Sequence, residues 1–88
     1  MPTPQFILEL RRHIGNEPLW LSGANLVVLR EGETGPEVLL GRRSDDGNWA
    51  AISGIVEPGE NPADTVAREA REEACIEVEV ERMLWLDV

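Results

Sequence analysis

The sequence contains no lysine, only one cysteine (Cys75), and no apolar run long enough to cross a bilayer. A single thiol excludes an intrachain disulfide and with it a secreted disulfide scaffold. Met1-Pro2-Thr3-Pro4 lacks the basic start and apolar stretch of a signal peptide, so a cytoplasmic protein with no membrane partner is expected. Without lysine, eight arginines stand alone against seventeen acidic residues, a net charge of −9. That balance argues against a nucleic acid polymer as partner, because such a surface needs positive charge facing the phosphates.

What is present fits one small domain: 88 residues, 42% hydrophobic. A core of that size is marginal unless something supports it. Residues 1–53 hold seven acids and five arginines, whereas 54–88 hold ten acids and three arginines. A concentrated acidic half is either a solvated face or a site for cations that bridge to phosphates.

The sequence shows no internal repeat and no low-complexity tract. Thr3 and Pro4 read as N-cap and first position of a helix. Phe6, Ile7, Leu10 and Ile14 recur at helical spacing within it, and Gly15 supplies a stop. His13 reads as an exposed residue near the negative end of that helix. Residues 26–29 and 38–40 are β-rich apolar runs around a turn-forming segment, 31–36, and predict a hairpin. A second turn is expected at 45–48 and a short strand at Ile55-Val56. Asn61-Pro62 opens a helix running to about Ala74. From Ile76 the chain alternates, with Ile76, Val78 and Val80 on one parity and Glu77, Glu79 and Glu81 on the other. That predicts a half-buried strand over 76–86. Trp20, Trp49 and Trp85 are expected to pack in the core or loops rather than to stack on bases.

On the 61–75 helix, Glu69, Glu72 and Glu73 fall within one arc of about 100°. Ala63, Val66, Ala67, Ala70 and Ala74 form a neighbouring arc of small side chains, on which the helix can lie close against a sheet. The carboxylates then sit at the edge of that contact. Taken alone, three glutamates read as an ordinary solvated face paired with Arg68 and Arg71. A hard divalent cation would turn their mutual repulsion into attraction.

Their surroundings change that reading. Gly54 is followed after five residues by Glu60, and after seven more by Arg68-Glu69-Ala70-Arg71-Glu72-Glu73-Ala74-Cys75-Ile76. This resembles the Nudix box: Gly, five residues, Glu, seven residues, then Arg-Glu-apolar-any-Glu-Glu-any-Gly-apolar. Only Cys75, standing at the final glycine, departs from it. Arg42, Arg43, Trp49 and the 54–60 segment also resemble members of that family.

The resemblance implies an α/β (α+β) protein, a Nudix-type α/β/α sandwich with a mixed sheet, broken off after the box helix and the following strand. It divides the chain into an N-terminal helix and linker, 1–21, and a partial Nudix domain, 22–88, with the box at 54–76. It implies Mg²⁺ or Mn²⁺ held by Glu69, Glu72, Glu73 and the backbone carbonyl of Ser53. Arg68 and Glu60 would orient those ligands and complete the catalytic set, and Gly54 and Gly59 would let the loop turn closely over the site. Arg42 and Arg43 are candidate substrate-binding residues; surface arginines following a strand are the alternative.

The implied reaction is metal-assisted hydrolysis of a phosphoanhydride in a nucleoside diphosphate derivative such as a nucleotide sugar, ADP-ribose or a nucleoside triphosphate. The alternative is a non-catalytic Nudix-like module that binds a nucleotide or a protein. Cys75 is expected to reshape the helix end without abolishing the site. Family domains usually extend well past the box, so further residues, or self-association into a homo-oligomer, are expected to cover the open edge.

Overall fold

The structure is a computed structural model that describes residues 3–87. Among the described residues are two helices, α1 (Gln5–Ile14) and α2 (Pro62–Ala74). Six short strands accompany them: β1 (Gly23–Leu26), β2 (Leu29–Gly32), β3 (Gly35–Val38), β4 (Gly41–Arg42), β5 (Trp49–Ala50) and β6 (Ile52–Ile55). The composition is α+β, as the sequence implies, and the described strands form three antiparallel pairs: β1 with β6, β2 with β3, and β4 with β5.

The β1–β6 pair is the floor of the domain. Its register sets Gly23 opposite Ile55 and Leu26 opposite Ile52, and the Val56 N–H extends the pairing to the Ser22 carbonyl at 2.8 Å. Helix α2 lies across both strands. Ile52, Val66 and Ala70 form the buried apolar centre of this contact. Burying aliphatic side chains the size of Ile52 and Val66 stabilises by roughly 1.5–3 kcal/mol each. Ala70, with no accessible surface, lets the helix sit close to the strands.

α2 begins where Asn61-Pro62 predicts. Asn61 accepts a hydrogen bond from the Asp64 N–H at 2.9 Å, and Asp64 reaches back to the Asn61 N–H at 3.4 Å, so two orphan donors are satisfied together. The helix ends at Cys75, which adopts a left-handed conformation at φ 56°. A non-glycine residue there carries a cost of order 1 kcal/mol. The Cys75 and Ile76 N–H groups still satisfy the Arg71 and Ala70 carbonyls, at 3.1 and 3.3 Å.

The hairpin forms, but the apolar run that predicted it is divided. Leu26 ends β1 and Leu29 begins β2, while the turn tightens to Glu33-Thr34 between the paired Gly32 and Gly35. The turn at 45–48 joins β4 to β5 as expected. α1 starts one residue later than predicted: Pro4 occupies the N-cap and makes no side-chain capping bond. Ile7 is its buried residue, and Gly15 closes it at φ 62°.

Two expectations are corrected. Residues 76–86 take no ladder partner and form no strand among the described residues. Their burial nonetheless alternates, with Ile76, Val78 and Val80 half-buried and Glu77, Glu79 and Glu81 exposed. The period reports which side faces the protein; it does not supply a hydrogen-bonding neighbour. The tryptophans do not pack inside: Trp20, Trp49 and Trp85 are all exposed. No helix among the described residues is long and apolar enough to cross a membrane.

Candidate active site on the box helix

Arg68 organises the site. It projects from α2 toward the loop that precedes the helix, where its Nε and Nη2 donate to the two oxygens of Glu60 at 2.8 and 3.0 Å. Nη2 also donates to the Ile55 carbonyl at 3.2 Å and pairs with Glu57 at 3.1 Å. Nη1 donates to Glu69 at 2.8 Å and to Glu72 at 3.4 Å. One planar fork thus ties strand β6, the loop and the helix together.

Glu60 is held from three further sides. The Glu57 N–H and the Thr65 hydroxyl each donate to it at 3.0 Å, and its own N–H returns a bond to the Glu57 carbonyl at 3.0 Å. With Arg68 as the chief cause, its carboxyl is held down to about 2. Arg68 is correspondingly raised, above all by Glu60. Gly59 turns the loop at φ 85°, a conformation open to glycine at little cost.

Glu69 differs from its neighbours. It is 2% exposed, and its Oε2 is buried without a hydrogen-bond partner, while its Oε1 accepts from Arg68. Burial is the main reason its carboxyl is raised; Arg68 opposes that, and repulsion from Glu73 adds to it. The close approach depends on Gly54 of β6, where a Cβ would overlap the Glu69 carboxyl group.

Helical spacing places Glu69, Glu72 and Glu73 in one arc at the edge of the contact. The structure divides them, since the helix rolls far enough to bury Thr65 and Glu69 with Val66 and Ala70, leaving Glu72 and Glu73 exposed. Among the described residues no three His, Cys, Asp or Glu side chains are gathered closely enough to hold a metal ion. The physical reason is plain: like charges repel, and Arg68 draws Glu69 and Glu72 toward itself. A buried, unpartnered carboxylate oxygen beside a second carboxylate is nevertheless the donor set a hard divalent cation takes.

A cleft of about 550 Å³ opens beside this network and brings other candidates together. Arg42, Arg43, Ser53 and Glu73 all line it, with Leu39, Leu40 and Ala74 on its apolar walls. Arg42 donates from Nε to the Gly47 carbonyl at 3.2 Å. Arg43 donates to both oxygens of Asp45, at 3.1 and 2.8 Å, and lies 3.7 Å from Asp46. The Arg43 bond holds Asp45 down to about 2, and Asp45 in turn raises Arg43.

Sequence reasoning missed Thr65 and Glu57. Thr65 has no accessible surface and donates to Glu60 and, at 3.2 Å, to the Asn61 carbonyl. Its position one turn past the N-cap was the available signal. Glu57, three residues before Glu60, was visible as a second acid on the loop.

The NUDIX domain family model matches residues 21–87. The chain is 36% identical over 62 residues to the dihydroneopterin triphosphate diphosphatase of Escherichia coli K12, an alignment covering 70% of this chain and 41% of that protein. It is 40% identical over 63 residues to a MutT-like protein of Streptomyces ambofaciens, covering 72% of this chain and 38% of the relative. The chain therefore spans about two fifths of the length of these relatives. No solved structure gives a significant match. With its box helix, glycine-dependent loop and family match in agreement, the chain belongs to the Nudix family.

Proposed function

We propose that this chain carries the catalytic helix of a Nudix pyrophosphohydrolase that cleaves a phosphoanhydride bond in a nucleoside diphosphate derivative. The observation that carries this reading is Glu69, a buried carboxylate with a free oxygen beside Glu73. Such a group is costly in a resting fold and is explained by a cation that engages it.

Glu69 and Glu73 would hold Mg²⁺ or Mn²⁺, joined by Glu72 and the backbone carbonyl of Ser53. When bound, the cation neutralises diphosphate charge and lowers the pKa of a coordinated water. Arg68, fixed by Glu60 and Glu57, favours the ionised form of Glu69 against its burial and aims the carboxylate, which is the work of a positioning residue. Glu60 holds the Nε and Nη2 side of the Arg68 guanidinium and so fixes its orientation toward Glu69. The adjoining cleft, with arginines on one wall and Glu73 on another, suits an elongated anion approaching the helix.

The full-length protein should be assayed with Mg²⁺ or Mn²⁺ against ADP-ribose, nucleotide sugars, nucleoside triphosphates, dinucleoside polyphosphates and, following the Escherichia coli relative, dihydroneopterin triphosphate. Metal-dependent release of phosphate or diphosphate from any of them supports the reading. Nucleotide binding without turnover across the panel would establish the non-catalytic module in its place.

A further inference from the structure

The cleft holds two adjacent arginines, but they are not equivalent. Arg43 is neutralised by its own turn: its guanidinium bridges both oxygens of Asp45 and lies near Asp46. Arg42 has no carboxylate partner among the described residues, and a single bond from Nε to the Gly47 carbonyl fixes it while leaving both terminal nitrogens available.

We propose that Arg42, and not its neighbour, is the residue that grips an anionic phosphate oxygen in this cleft, and that Arg43 serves the turn that positions it. This rests on the hydrolase reading above. The turn closes at Arg43: its backbone N–H donates to the Asn48 carbonyl at 2.8 Å and its carbonyl accepts from Gly47 at 3.0 Å, while its side chain holds Asp45 at the turn's tip. Asp45 and Asp46 add bonds from the Asp46 and Asn48 N–H groups, at 2.8 and 2.9 Å. Gly47, at φ 75°, then presents the carbonyl that orients Arg42.

Charge favours the same division. Were Arg43 to leave Asp45 for a substrate phosphate, two carboxylates would stand unneutralised beside the arriving anion. Arg42 has no such partner to abandon. The two arginines and two aspartates cancel, so removing Arg42 leaves the turn net negative and repulsive to a diphosphate.

Calorimetric titration of the full-length protein with inorganic diphosphate and Mg²⁺, alongside thermal melting, tests this. Arg42→Gln should weaken binding about tenfold without altering the melt, as loss of a charge-assisted hydrogen bond does. Arg42→Lys should weaken it by only about threefold, keeping the charge but losing the fork. Arg43→Gln should cost less than about threefold in affinity and leave the melting temperature nearly unchanged, because its pair with Asp45 is half-exposed. Unchanged binding in Arg42→Gln, equal losses in the two Gln variants, or no binding by the wild type would overturn the proposal. A protein that binds diphosphate through Arg42 yet hydrolyses nothing would sink the hydrolase reading alone, and hydrolysis with Arg42-independent binding would sink this inference alone.

Discussion

Two arginine–glutamate pairs in this chain close at the same distance, 2.8 Å, and belong to different physical worlds. Arg68–Glu60 lies between loop and box helix with its side chains 20% and 19% exposed. Arg30–Glu37 spans the β2–β3 hairpin with side chains 80% and 51% exposed. The first pair is one edge of a network that also engages Glu57, Glu69, Thr65 and the Ile55 carbonyl. Among the described residues the hairpin pair engages nothing else of that kind. Distance alone says little about an ion pair; what surrounds it decides whether geometry is enforced or merely sampled.

Glu73→Gln should reduce hydrolysis by more than about 100-fold, beyond the range typical for groups that only support a ligand. Steady-state kinetics would check this, and wild-type turnover would remove Glu73 from the ligand set. Arg68→Ala should lower activity and metal affinity by about 10–100-fold, because Glu69 and Glu60 lose their common partner. An unchanged Mn²⁺ titration would reduce Arg68 to a solvated cation.

Acid offers a finer test. Glu60 has its carboxyl depressed from 4.5 to about 2, so it contributes stability above pH 4.5 that is lost as pH falls toward about 2. The melting difference between wild type and Glu60→Gln should therefore be constant above that window and shrink within it. The smallest effect belongs to the hairpin: Arg30→Ala should leave the melting temperature nearly unchanged, and a clear drop would show the exposed pair to be stronger than its setting implies.

Much of the box region could be read from residues alone. Asn61-Pro62 and the alanine spacing define α2 because capping and helical period are local properties. The burial of Glu69 could not be read that way. A helical wheel places three glutamates in one arc, but the part of the arc that a sheet covers depends on Gly54, fifteen residues earlier, permitting contact. Residues 76–86 show the complementary failure: alternation gave the correct buried parity, yet a ladder needs a partner strand that no local pattern specifies. The tryptophans misled for a similar reason, since a large apolar side chain favours burial but cannot create the neighbours that bury it.

The central claim is that Glu69 is held at a cost in the fold so that it can engage a divalent cation. Its raised carboxyl means that the ionised form opposes folding at neutral pH and that the opposition fades as pH falls through the folded value. Thermal melting of wild type and Glu69→Gln at neutral pH, each with and without Mg²⁺ or Mn²⁺, tests this directly. The variant should melt above the metal-free wild type and ignore added cation. The wild type should gain stability with either ion, by about 2.7 kcal/mol at one hundred times the dissociation constant. A wild-type melt indifferent to both ions, or a variant that responds equally, would contradict the account.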